Sequence, residues 1–277
     1  PFTVSVILYS ALKRRKMKIT ANNLEINYRL DGPEHGPAVM FSTSLMSNYS
    51  MWDGQMAALT DTFRVLSYDQ RGHGGTETTP GPYTIELLAE DAAALLEALG
   101  IEAVHFIGLS MGGFTAQMLA TLYPEKVKSL CLCDTACIMG PKSLWNERID
   151  NARSGGLEAL VAGTLERWFT PPFHTTGADQ LEVVREMILG TGVDGYIGCA
   201  EAIRDMDICG NLRKIAAPTL VLVGEGDPAC TVEAAEVLHQ GISHSQLVII
   251  PEAAHLPNIE QRDRFNELLV NFLKQQQ

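Results

Sequence analysis

A serine between two glycines is the first residue set in this 277-residue chain that could do chemistry. Gly108-Leu109-Ser110-Met111-Gly112 follows an apolar run at 104–109 without a spacer and opens a helical pattern at 111–122 that Pro124 ends. A serine on so sharp a strand-to-helix turn has its hydroxyl lifted above the sheet. The helix N-terminus behind it offers backbone N–H groups to developing negative charge. The glycines suit a place where the strand and helix backbones run too close for side chains. A hydroxyl is a poor nucleophile until a base removes its proton. The expected base is His255, after the run at 246–250, and the expected acid is Asp227, after the run at 219–223. There His255 would take the serine proton and return it to the leaving group, while Asp227 fixes the imidazole tautomer. Asp134, at the end of the run 127–134, is the alternative acid; its other reading is a hinge or N-cap residue. Of the other histidines, His105 falls in a strand and His239 in a helix, and His73 lies in a loop ahead of Ser110.

Acyl chemistry also needs two donors for the oxyanion. One is expected from the backbone N–H of Met111. The other belongs to the loop after the run at 38–43, where the register of Ser42-Thr43-Ser44-Leu45-Met46 selects Leu45. No metal is expected, because H-E-x-x-H, a carboxylate cluster and usable Cys/His spacing are all missing. A Walker loop and a G-x-G-x-x-G after the first strand are missing too, so no nucleotide cofactor is expected.

Positioning these side chains requires a scaffold, and the chain alternates strand and helix patterns from Met17 onward. Strands are expected at 24–30, 38–43, 64–69, 104–109, 127–134, 219–224 and 246–250. A helix runs from a Thr84 N-cap to Leu99, with apolar residues at 85, 88, 92, 95, 96 and 99. That order predicts a mostly parallel sheet with helices on both faces. The stretch 136–217 holds only amphipathic segments (144–153, 157–168, 179–189, 195–206) and reads as an all-helical cap over the carboxyl ends of the strands. The core is then 17–135 with 218–277. Residues 1–16 are expected to be an added or disordered leader outside the fold, since Met17 makes the more natural start.

Composition narrows the partners. A net charge of −12 argues against nucleic acid and anionic membranes, and beyond that no segment has the roughly 18 apolar residues a bilayer span needs. The six cysteines (131, 133, 137, 199, 209 and 230) are expected to be reduced and buried, with Cys131 and Cys133 on one face, in a cytoplasmic protein.

From Leu24 to Phe272 the chain resembles the α/β-hydrolase superfamily, and more narrowly the 3-oxoadipate enol-lactonases and related carboxylesterases. The resemblance rests on Phe41-Ser42-Thr43-Ser44-Leu45, Met51-Trp52-Asp53, Tyr68-Asp69-Gln70-Arg71-Gly72-His73-Gly74 and His105 through Gly113. It continues through Glu166-Arg167-Trp168-Phe169-Thr170, Gly195-Tyr196, Arg204-Asp205-Met206-Asp207 and Ala253-Ala254-His255-Leu256-Pro257-Asn258. It implies an α/β-hydrolase fold with a mostly parallel eight-stranded sheet, and a cofactor-free hydrolase of a small-molecule ester or lactone that works through an acyl-enzyme. It carries Ser110, Asp227 and His255 onto the triad and Leu45 and Met111 onto the oxyanion hole. Two departures from the lactonases concern the substrate: Met46 stands where glycine is usual, and Asp134 where asparagine is common.

Two substrate classes therefore stay open. A 3-oxoadipate enol-lactone carries a free carboxylate, which calls for an unpaired Arg among Arg148, Arg153, Arg167, Arg185 and Arg204. An apolar pocket of Met46, Trp145, Trp168 and Phe169 would instead take a neutral ester or lactone, such as an acyl-homoserine lactone or a pyrethroid-type ester. Ser110 argues against relatives with an aspartate nucleophile. A cofactor-free perhydrolase and a non-enzymatic ligand receptor are the alternatives from other classes.

Overall fold

The computed structural model describes residues 17–277, so the expected leader at 1–16 lies outside the described residues. Strand β1 (Met17–Ala21) turns through Asn22 and Asn23 onto β2 (Leu24–Asp31). Both asparagines have positive φ, 48° and 55°, the conformation a tight hairpin turn demands. Six further strands follow: β3 (Ala38–Ser42), β4 (Arg64–Tyr68), β5 (Val104–Leu109), β6 (Val127–Cys133), β7 (Thr219–Gly224) and β8 (Ser245–Ile250). All eight form one sheet in the order β1-β2-β4-β3-β5-β6-β7-β8. The pairs β1/β2 and β2/β4 are antiparallel, and every other pair is parallel. Each residue of β3, β5 and β7 is buried, which is why these strands read as continuous apolar runs rather than alternating ones.

Two helix groups flank the sheet. Asp53–Leu59 packs with Arg262–Gln275, and Ile85–Ala98 packs with Met111–Leu122. On the first side Phe41 stacks on Trp52 with ring centroids 4.5 Å apart, and Phe265 closes on Trp52 at 6.1 Å. The Thr84 hydroxyl caps its helix by accepting the Leu87 N–H, as the sequence predicts.

Between β6 and β7 the chain forms five α-helices, Lys142–Gly155, Glu158–Trp168, Pro171–Thr176, Ala178–Leu189 and Val193–Asp205, and a 3-10 turn at Cys209–Lys214. Four match the amphipathic segments. The third was not expected; Pro171 and Pro172 begin it, a position that tolerates the missing N–H.

One expectation fails. Cys137 and Cys209 form a disulfide, with Cα atoms 4.8 Å apart, so not all six cysteines are reduced. The pair is 72 residues apart, and only the fold joins it. The two ends of the helical insert meet as a short antiparallel stem, with a bridge between Ile138 and Asp207 and the Ile208 N–H donating to the Cys137 carbonyl at 2.9 Å. Cys131, Cys133, Cys199 and Cys230 are free and buried, and the Cys131 and Cys133 sulfurs lie 3.6 Å apart on one face of β6.

Candidate active site

Ser110 occupies the single residue between β5 and the helix Met111–Leu122, at φ 55° and ψ −114°. A non-glycine residue holds such a conformation only where its surroundings fix it. Here its N–H donates to the Cys133 carbonyl at 2.9 Å, and its own carbonyl accepts the Thr135 hydroxyl at 2.9 Å. The glycines on either side are sterically required. A Cβ on Gly108 would meet the Gly112 carbonyl oxygen at 2.1 Å, and one on Gly112 would meet the Ser42 carbonyl oxygen at 2.3 Å. Ser110 is 9% exposed, and its hydroxyl makes no hydrogen bond to the described residues.

His255 and Asp227 come together at the ends of β8 and β7. His255 Nδ1 lies 2.7 Å from Asp227 Oδ2, and Asp227 Oδ1 accepts the Ala229 N–H at 2.8 Å. The Trp168 ring stacks on the imidazole at 5.9 Å, and the Leu256 N–H donates to the Trp168 carbonyl at 3.3 Å. Glu260 ties the histidine loop to the helical insert: its carboxylate accepts the Ala254 N–H at 2.8 Å and the Thr170 N–H at 2.9 Å. Asp134, the alternative acid, is not the partner of His255. It is fully buried at φ 43°, and its Oδ1 accepts the Gly224 N–H at 2.8 Å. Burial, and then the neighbouring Asp227 carboxylate, push its pKa well above the usual carboxylate range.

Two amides of the loop after β3 are committed. The Ser44 N–H meets the Met51 sulfur at 3.4 Å, and the Met46 N–H donates to His73 Nε2 at 3.0 Å. Among the described residues the Leu45 and Met111 N–H groups have no acceptor. His73 Nδ1 lies 3.1 Å from the Arg71 carbonyl, so the ring donates there and accepts from Met46. Burial holds its pKa down to about 4, which keeps it neutral. In the sequence His73 is a histidine that precedes Ser110, so the expected order of a relay does not point to it. The available signal was its place in a glycine-rich loop directly after β4.

The remaining expected pocket residues are buried. Met46 has no exposed surface and adopts φ 60°; Phe169 stacks on Phe173 at 5.0 Å; the Trp145 ring lies 4.7 Å beneath the Arg148 guanidinium. An open groove of about 600 Å³ runs beside the site, lined by Met51, Phe173, Val184, Met187 and Asn258 among others, and none of the expected site residues borders it. Asp227, Cys230 and His255 also bring three metal-ligand atoms within 4.8 Å of one another, a grouping that the spacing in sequence does not reveal.

The five candidate arginines separate cleanly. Arg153 pairs with Asp150 and Glu201, Arg185 with Glu158, Glu182 and Glu186, and Arg204 with Asp205. Arg148 and Arg167 have no carboxylate partner within salt-bridge distance among the described residues. Tyr196 is fully buried and its hydroxyl faces the Arg148 guanidinium, but neither that hydroxyl nor Arg148 Nε has a partner at ordinary hydrogen-bond geometry. Burial and the positive charge of Arg148 lower the pKa of Arg167. The three interact with one another, and their chain neighbours lead toward the site. Arg167 precedes Trp168, and Gly195, next to Tyr196, packs so closely on Gly72 that a Cβ there would meet the Gly72 carbonyl oxygen at 2.1 Å.

Known proteins share this architecture. Residues 37–261 match the family described as the alpha/beta hydrolase fold. The chain is 37% identical over 259 residues to 3-oxoadipate enol-lactonase 2 of Acinetobacter baylyi, covering 94% of this chain and 97% of the relative. The enol-lactonase from Burkholderia xenovorans LB400 superposes with a TM-score of 0.91 at 38% identity, covering 93% of this chain and all of that one. A thermophilic esterase from Thermogutta terrifontis gives 0.88 at 29% identity, covering 95% and 99%. With a strained serine after β5, an aspartate–histidine pair after β7 and β8, and these relatives along nearly its whole length, the chain belongs to the alpha/beta hydrolase fold family and is a hydrolase.

Proposed function

We propose that the protein hydrolyses a carboxylic ester or lactone through Ser110, His255 and Asp227, and that the substrate carries a free carboxylate. The observation that carries the chemistry is the 2.7 Å His255–Asp227 pair on the same sheet edge as the strained Ser110. With its Nδ1 proton directed at Asp227, the imidazole keeps a lone pair on Nε2 to take the serine proton. Ser110 Oγ adds to the carbonyl carbon, and the C=O electron pair moves onto oxygen. The uncommitted Leu45 and Met111 N–H groups are suited to hold that oxyanion. Collapse expels the alkoxide or enolate, which takes the proton from His255; in a lactone it stays tethered to the acyl chain. Water, deprotonated by His255, then releases the acid and restores Ser110. No step requires a cofactor.

The substrate class rests on Arg148, Arg167 and Tyr196. Two partly buried guanidinium groups without carboxylate partners, with only a poorly aligned phenol facing one of them, are costly unless an anion completes them. A neutral ester would leave them as they are. The relatives named as enol-lactonases agree with a lactone whose carboxylate lies away from the reacting carbonyl.

The test has two arms. Ser110→Ala should abolish p-nitrophenyl ester hydrolysis and labelling by a fluorophosphonate; labelling that persists elsewhere would remove Ser110 from the role. Arg148→Gln and Arg167→Gln should each raise KM for a carboxylate-bearing enol-lactone roughly tenfold or more, the value of one charge-assisted hydrogen bond, while hydrolysis of neutral aryl esters and acyl-homoserine lactones changes little. Equal losses on charged and neutral substrates would refute the anion subsite.

A further inference from the structure

Asp134 has a chemical problem that the relay described above does not solve. It is fully buried at the end of β6, and its N–H donates to the Leu222 carbonyl at 2.9 Å. Oδ1 accepts the Gly224 N–H at 2.8 Å, whereas Oδ2 is buried and meets no donor. The groups facing it are Cys131 and Cys133 from its own strand, and Asp227 and Cys230 from the segment after β7. His255 reaches this cluster through Asp227. Among the described residues no lysine or arginine pairs with Asp134. Two adjacent buried carboxylates cannot both ionise cheaply, so one of them holds a proton. Asp227 already accepts two N–H donors, from His255 and Ala229, and Asp134 accepts one, so the charge belongs on Asp227.

We propose that Asp134 is a protonated carboxylic acid that donates its Oδ2 hydrogen to Asp227 and thereby positions the charged acid of the relay against His255. The role rests on the reading of Asp227 as the acid of that relay. Asp134 touches no reacting atom; it acts through Asp227 as a positioning residue. A third donor on Asp227 holds the carboxylate in place against His255 Nδ1, so the imidazolium that forms during catalysis meets its counter-charge without rearrangement; without that donor more of the carboxylate charge faces the imidazole and favours its protonated form. Asparagine can make the same pair of bonds, with Oδ1 accepting from Gly224 and Nδ2–H donating to Asp227, and it has no proton to lose. Leucine can make neither.

Three measurements on the full chain test this. The infrared spectrum of the wild-type protein at pH 7 should contain the C=O stretch of a protonated carboxyl group, and Asp134→Asn should remove it. Absence of that band in the wild type overturns the proposal whether or not any variant folds. Thermal melts should show Asp134→Asn gaining on the wild type by roughly 2–4 °C per pH unit as pH rises above the ordinary carboxylate range. The sign follows from proton binding: in that window the folded wild type retains a proton that the unfolded chain releases, so wild-type stability falls as pH rises. A difference that is flat with pH overturns the proposal. In activity, Asp134→Asn should keep kcat/KM within about threefold of wild type with the same pH profile. Asp134→Leu should lose ten- to a hundredfold in kcat with little change in KM, and the acid limb should move to higher pH. Equal losses in both variants with intact folds would refute the positioning role. If Asp227→Asn left activity intact, the reading of the relay would fail, while the infrared band would still report the proton on Asp134.

Discussion

His73 offers the sharpest test of how the loop after β3 is held. Its Nε2 accepts the Met46 N–H at 3.0 Å, and its Nδ1 is anchored by the Arg71 carbonyl at 3.1 Å. Met46 sits at φ 60° with no exposed surface, so this bond fixes a backbone that would otherwise relax. Replacing His73 by phenylalanine keeps a ring of similar bulk and removes the acceptor. The Met46 N–H is then buried and unsatisfied, at about 1–3 kcal/mol, and relief of that penalty turns the loop. Leu45, one residue earlier, turns with it. If Leu45 is an oxyanion donor as proposed, its outright loss costs about 10²–10³ in kcat, which sets the ceiling; a fall of about 10²-fold is expected for His73→Phe. KM for a small aryl ester should move little, because the loss falls on the transition state. Urea unfolding should register about 2 kcal/mol, the middle of the penalty above. His73→Gln, which restores an acceptor, should recover at least tenfold in kcat. A folded His73→Phe enzyme with kcat within threefold of wild type would show that the loop needs no such anchor, and the reasoning from the Met46 bond would fall.

Two further outcomes follow from burial and covalent structure. Burial holds the folded-state pKa of His73 down to about 4, against about 6.5 in the unfolded chain, so from pH 6.5 to 4 the unfolded state binds a proton the folded state refuses. Stability should therefore fall as pH drops through that window, by about 3 kcal/mol at pH 4 from this residue at about 1.4 kcal/mol per pH unit. His105 is lowered to about 4 by burial and by Lys128, and it acts in the same direction. Acid denaturation curves of wild type and His105→Gln would check this, and superimposable curves would refute the assignment for His105. The Cys137–Cys209 bond closes a 72-residue loop, and the chain-entropy account assigns it about 4 kcal/mol. Cys137→Ser should lower Tm accordingly while aryl-ester kcat at 25 °C is retained; an unchanged Tm would mean the stem is held by its backbone bonds alone.

Legibility in the sequence followed the range of the interactions. β5 and β7 end where the apolar runs end, because a strand buried on both faces has no polar position to blur its limits. The placing of Ser110, Asp227 and His255 at one sheet edge could be read for a related reason: each lies in the segment after a parallel strand, so chain order and position along that edge coincide. What stayed hidden depended on contacts across the fold. Nothing near Cys137 points to Cys209, since the stem between Ile138 and Asp207 exists only once five helices have packed. Arg148 and Arg167 look like the other helix-surface arginines in sequence. They differ in lacking the close ion pairs that Arg153, Arg185 and Arg204 find in space. Asp134 and Asp227 both follow strands, and only the folded structure shows that Asp227 meets the histidine while Asp134 meets the Gly224 N–H.

Strain shows the same division of labour. Among the described residues, six non-glycine positions have positive φ, and two of them form the β1–β2 turn. The other four are Met46, Ser110, Asp134 and Glu252, and each lies within four residues of the carboxyl end of a parallel strand. Each such conformation costs on the order of 1–3 kcal/mol, so the edge proposed to carry the chemistry is also where stability is given up. It persists because the sheet's own hydrogen bonding runs one residue past the strands. The Ser110 N–H is held by Cys133, and the Asp134 N–H by Leu222, the same bonds that would continue the β5/β6 and β6/β7 ladders. Met46 has no neighbouring strand end to supply this, and His73 supplies it instead. A residue far from Ser110 in sequence thus does for the donor loop what sheet register does for the serine and Asp134, which is why its loss should be felt in kcat before it is felt in the fold.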